Sequence, residues 1–131
     1  MSIIKAKSSD NLRAAKLLID NHIYSPSVHC SYYSVYMLSM HMLCHKCNIS
    51  YEAQSENSKG RDSHFYVIKN IADDLNKKNR YYMTDFYSWY NKLKKLRKRA
   101  DYLNEEVKEK DANTAYESAE NIIQLLTDKY K

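Results

Sequence analysis

One glycine and one proline in 131 residues leave little turn material. That scarcity argues against many short strands joined by tight hairpins and favours a few long helices. The three cysteines, Cys30, Cys44 and Cys47, are odd in number and two lie close together, so they do not form the framework of a secreted disulfide protein and fit a reducing compartment. No stretch approaches the roughly 20 apolar residues that span a bilayer, and Met1-Ser2-Ile3-Ile4-Lys5 lacks the apolar run of a signal peptide. The chain therefore reads as cytosolic, without membrane contact. A lone glycine cannot build a Gly-rich phosphate loop, and no Ser/His/Asp order is recognisable, which argues against conventional nucleotide hydrolysis. Nothing resembles a haem, flavin or nicotinamide site, and no cofactor is expected.

What is present is periodic. Residues 1–131 suffice for a single domain with its own core. Leu12, Ala15, Leu18 and Ile19 recur at helical spacing and predict a helix over 9–21, capped by Ser9 or Asp10. Ser25-Pro26 is a start signal for a second helix over 26–46, apolar round most of its circumference and so central. Its Ser27, Ser31 and Ser34 form a small stripe that lets a neighbour approach closely. Residues 48–63 are polar, lack a hydrophobic period and contain Gly60, which predicts an exposed loop. A third helix is expected over 64–78 with Phe65, Ile68, Ile71, Ala72 and Leu75 facing inward. A fourth, over 84–103, is capped by Thr84 and buries Phe86, Tyr90, Leu93, Leu96 and Ala100. Thr114-x-x-Glu117 offers a capping box for a last helix carrying Ala119, Ile122, Ile123 and Leu126 on one face. The expected architecture is an all-α antiparallel bundle of about five helices.

Formal charge is +5, but its distribution matters more. Between residues 75 and 99 stand Lys77, Lys78, Arg80, Lys92, Lys94, Lys95, Arg97, Lys98 and Arg99 against Asp85 alone, whereas residues 104–131 are net acidic. A basic face of this kind attracts phosphate-rich polymers, and neighbouring tyrosines add stacking surface. A solvated lysine run is the plain reading for Lys94, Lys95, Lys98 and Arg99. It does not suffice for Arg97. At about 100° per residue, Arg97 falls at the margin of the apolar arc beside Tyr90. A guanidinium there keeps its charge and needs an anion or several acceptors, and Asp101 stands one turn later.

The segment Arg97-x-x-Ala100-Asp101-Tyr102 resembles the RxxADY signature of one branch of the HEPN family. Ser31-Tyr32-Tyr33-Ser34-Val35-Tyr36, after Ala14-Ala15-Lys16-Leu17-Leu18 and the link Ile23-Tyr24-Ser25, resembles that family's second helix with its paired tyrosines. The resemblance covers nearly the whole chain. It implies a homodimer in which helices of two protomers face each other across a groove. It also implies a possible partner, a small nucleotidyltransferase of a toxin and antitoxin pair. Active HEPN members are metal-independent endoribonucleases with an R-x4-6-H motif, in which arginine stabilises phosphorane-like charge and histidine moves the proton. This chain departs at that residue. Four intervening residues after Arg97 comes Tyr102, and after Arg99 comes Asn104. An unperturbed phenol, with a pKa of about 10, is a poor base at neutral pH, and asparagine transfers no protons. A histidine folded back from elsewhere (His22, His29, His41, His45 or His64) is the remaining source.

The expected function is binding of RNA or nucleotide phosphates in a groove containing Arg97, with Lys94, Lys98, Arg99 and Asn104 as further contacts. Arg97, Asp101 and Tyr102 are the candidate catalytic set for the alternative, an endoribonuclease with a non-standard motif. Asp101 also reads simply as the partner of Arg97 in an ordinary i,i+4 pair. A pure protein-interaction module built on the tyrosine and methionine surfaces is the other alternative. The cluster His41-x-x-Cys44-His45-x-Cys47 has metal-capable ligands on one helix. Because a tetrahedral site draws ligands from two separated elements, buried thiols and hydrogen-bonded imidazoles are expected there and no metal is assigned.

Overall fold

The computed structural model describes residues 2–131. They form six helices: α1 (Ile3–Asp20), α2 (Tyr24–Lys46), α3 (Tyr51–Asn57), α4 (Ser63–Lys78), α5 (Arg80–Tyr102) and α6 (Glu109–Lys129). The all-α bundle is as expected; the sixth helix and several boundaries are not. Among the described residues, no helix is long and apolar enough to cross a membrane.

α2 is the hub and packs against α1, α4, α5 and α6. Side-chain pairing gives its direction. Ser2 meets His41 and Ser8 meets Ser34, so α1 runs antiparallel to α2. His29 meets Asp101 and Tyr33 meets Arg97, so α5 does the same. Ser27, Ser31 and Ser34 are wholly buried, and the Ser34 carbonyl accepts from Ser8 Oγ at 2.6 Å. The core is filled by Tyr32, Leu43, Ile71, Leu75, Phe86, Leu93, Ile122 and Leu126, all within 1% of complete burial.

The helix starts differ from expectation for identifiable reasons. α1 begins at Ile3 because Ser2 Oγ accepts from the Lys5 N–H at 3.2 Å; Ser9 and Asp10 lie mid-helix. The polar run 5–10 hides the period, since its inward residue is Ser8. α1 ends in a Schellman pattern: His22 has φ 61, its N–H bonds Ile19 O and the Ile23 N–H bonds Leu18 O. α2 starts at Tyr24 with no side-chain cap, leaving Ser25 inside its first turn. α5 starts at Arg80 rather than Thr84. Asn79 terminates α4, and its side chain accepts from the Tyr81 N–H at 2.9 Å. α6 starts at Glu109, where the Asp111 carboxylate accepts from the Lys108 N–H at 3.0 Å; Thr114 falls within the helix.

The expected loop over 48–63 contains α3. Ser50 Oγ caps it on the Ala53 N–H, and the buried Gln54 amide donates to Met40 O at 3.1 Å and Ile49 O at 2.9 Å. Its one buried residue, Gln54, and the buried Ser58 that ends it are polar, so no hydrophobic period marks it. On α4, Val67 completes the buried stripe in place of Phe65, whose ring is 62% exposed.

Removing methylenes from the fully buried Ile122 by Ile122→Ala is expected to lower unfolding free energy by about 2–5 kcal/mol. The 65%-exposed Leu17 sets the contrast, and Leu17→Ala is expected to stay within about 0.5 kcal/mol of the parent. Urea denaturation followed by circular dichroism measures both.

Candidate functional site

The antiparallel register of α2 on α5 has a local consequence. His29 and Tyr33 are four residues apart on one helix, as are Arg97 and Asp101 on the other, so the two pairs meet across the seam. Arg97 Nε donates to Asp101 Oδ2 at 3.1 Å, and His29 Nδ1 donates to the same oxygen at 2.9 Å. Arg97 Nη2 donates to Tyr33 Oη at 3.2 Å and to Tyr102 Oη at 3.0 Å. The guanidinium carbon lies 4.6 Å from the Tyr32 ring centroid, 5.2 Å from that of Tyr102 and 5.5 Å from that of Tyr33. Aromatic faces attract a cation at such distances. Arg97 and Asp101 are each only 16% exposed. Among the described residues, Nη1 of Arg97 has no protein acceptor, which leaves one donor edge for an outside anion.

A second aromatic layer lies beneath. Tyr32 Oη is 2.9 Å from His64 Nδ1 and 3.1 Å from Tyr90 Oη, while the His64 ring stacks on Tyr36 at 4.3 Å. Burial, with the Arg97 charge adding to it, holds the His64 pKa below its ordinary 6.5. Burial and its bond to Tyr90 raise the Tyr32 phenol. Burial alone would lower Arg97, but the surrounding tyrosine oxygens and Asp101 more than offset it, so the guanidinium is raised.

Arg97 stands between two depressions. One is an open groove bounded by Ser25, Pro26, His29, Tyr33, Asp101 and Tyr102. The other is a narrower cleft between α4 and α5, with Tyr32, His64, Phe65 and Lys94 in its walls. Lys94 and Lys98 are exposed, Lys94 at the cleft and Lys98 one turn further along α5. Arg99 departs from the solvated arc assigned to it: its side chain is 29% exposed and pairs with Glu105 at 3.2 Å and Asp111 at 3.4 Å, tying the end of α5 to the start of α6. Asn104 is exposed beyond the end of α5. The expected i,i+4 pair of Arg97 and Asp101 is present.

Of the five histidines, His29 and His64 are brought to Arg97. With Nδ1 occupied by Asp101, His29 keeps Nε2 for an external partner, the arrangement of an oriented acid or base. Neither histidine is near the RxxADY segment in sequence. The signal that could have found His29 is the matched four-residue spacing on the two helices. The other cluster splits. His41 Nδ1 lies 2.9 Å from Ser2 Oγ and its ring stacks on His45 at 4.4 Å, whereas Cys47 turns toward Asp74, which together with burial pushes its thiol up to about 11. Among the described residues, no group of three or more His, Cys, Asp or Glu side chains is placed to hold a metal ion.

Compared with protein-family models, curated proteins and solved structures, the chain matches none.

His64 and His41 both have pKa values lowered, chiefly by burial, so each takes up a proton less readily in the folded chain than once unfolded. Their contribution to stability is present above about pH 6.5 and is lost as pH falls through the lower folded values. Calorimetry is expected to show Tm falling between pH 7 and pH 5, with a shallower fall in His64→Gln and shallower still in the double variant with His41→Gln.

Proposed function

We propose that this chain is a HEPN-like protein that binds RNA or nucleotide phosphates through the groove around Arg97. The observation that carries the reading is the setting of that guanidinium: half-buried, held by Asp101 and two phenols, lining both depressions, yet with Nη1 unspent. Nη1 is not among the buried side-chain atoms left without a partner, so it reaches solvent and is open to an anion from outside. Lys94 and Lys98 supply further exposed positive charge on the same helix. Arg99, already paired with two carboxylates, serves the fold, and Asn104 remains an outer contact. A homodimer completes the groove in this reading. Exposure of Tyr102 at 68% and of Leu103 at 44%, beside the open depression, supports an apolar contact there. The partner implied by the same resemblance is a nucleotidyltransferase of a toxin and antitoxin pair.

A second reading, metal-independent RNA cleavage, is favoured by the bond from His29 to Asp101. In that reaction His29 Nε2 accepts the proton of a 2′-hydroxyl as its oxygen attacks the adjacent phosphorus. Arg97 stabilises the charge that develops there, the 5′-oxygen leaves with a proton taken from water, and a 2′,3′-cyclic phosphate and a 5′-hydroxyl remain. Tyr102, bonded through its hydroxyl to Arg97, serves as a positioning residue rather than as the base.

Filter binding of labelled RNA across a salt series separates these readings. Affinity is expected to fall steeply as salt rises, with a slope of about −0.7 per phosphate neutralised on a single strand. Arg97→Ala is expected to weaken binding by roughly ten- to a hundredfold, the worth of charge-assisted hydrogen bonds, and Arg97→Lys to recover little of it. A flat salt response overturns the RNA reading and favours a protein-interaction module. Cleavage in the presence of a chelator that His29→Ala abolishes establishes the enzyme; binding without cleavage leaves the binding protein.

A further inference from the structure

The cleft between α4 and α5 has features that phosphate binding does not require. Its volume is about 150 Å³, below the roughly 300–1,000 Å³ of a pocket that holds a whole ligand. It therefore accommodates a fragment. Its walls are largely flat rings: Tyr32 and Tyr90 at its base, and Tyr87 and Phe65 nearer solvent. Phe65 is the one phenylalanine or tryptophan of the chain left strongly exposed, at 62%, in a position where the sequence pattern called for burial. Opposite it on α5, Asn91 is exposed, and among the described residues its side-chain amide has no hydrogen-bond partner. That amide offers both a donor and an acceptor.

The charges are mixed rather than uniformly positive. Lys69 is committed to Asp73 at 2.8 Å. Asp62, whose Oδ1 caps α4 on the N–H groups of His64 and Phe65, stands at the same mouth. A phosphate inside the cleft would meet that carboxylate. A neutral aromatic ring would not be repelled by it, and the phosphate joined to that ring through a ribose meets Lys94 and Arg97 instead.

We propose that this cleft is a nucleobase pocket, in which one unstacked base of a bound strand lies against Phe65 with the Asn91 amide on its edge. The inference rests on the RNA-binding reading above and adds to it. Stacking on an aromatic ring tolerates any base, whereas edge contacts from an asparagine give a preference among bases.

Fluorescence anisotropy with a labelled eight-nucleotide RNA tests the pocket. The same strand is used as a preformed duplex and as a version with abasic sites. The single strand is expected to bind best, because only its bases are free to enter. Phe65→Ala is expected to weaken its binding roughly five- to a hundredfold, the range for loss of one stacked base, without changing the salt slope, while Phe65→Tyr retains affinity. Because Phe65 is exposed, its thermal melt serves as a control and is expected to be unchanged. Equal binding by Phe65→Ala and the parent, or by the abasic and natural strands, overturns the pocket. If either occurs while Arg97→Ala still weakens salt-dependent binding, the RNA reading stands without it. Absence of salt-dependent binding by the parent chain sinks both.

Discussion

Asp101 Oδ2 is the acceptor on which the candidate site depends. It receives Arg97 Nε from its own helix and His29 Nδ1 from α2, and so fixes two cation-capable groups at the seam of the bundle. A guanidinium cannot neutralise itself when water is removed, and burying it costs far more than an exposed ion pair returns. Here the cost is offset by a carboxylate one turn away, two phenol oxygens and three aromatic faces. Truncating any one of these leaves the rest of the charge poorly served, the usual behaviour of coupled polar networks.

The basic run on α5 divides by partner rather than by composition. Arg99 is drawn off by Glu105 and Asp111 and secures the turn into α6, while Arg97 is turned inward and Lys94 and Lys98 stay in water. Among the described residues that stretch thus contains a fastening, a half-buried charge and four exposed lysines, Lys92 and Lys95 included. Net charge alone would have counted them as equals.

The helical class, the central place of α2 and the special setting of Arg97 were legible because each leaves a local trace: an apolar circumference, a periodic stripe, a charged group at its margin. The starts of α1, α5 and α6 were misplaced because the side chains that cap them, Ser2, Asn79 and Asp111, lie outside the hydrophobic pattern. α3 was invisible for a related reason, since its buried face is held by the Gln54 amide rather than by apolar contact. The approach of His29 and His64 depends on how α2 meets α5 and α4, a tertiary matter. RxxADY carries no hint of either ring. Spacing alone puts Phe65 in the core, but Val67 takes the buried place on α4 and Phe65 lies outside.

The joint between α4 and α5 consists of Asn79 alone, which closes one helix and opens the next. So short a tether has no slack to store. The two walls it joins cannot slide past each other without uncapping at least one helix, so their axial register is set when the bundle folds. The side chains that face each other across the cleft are thereby held in one register.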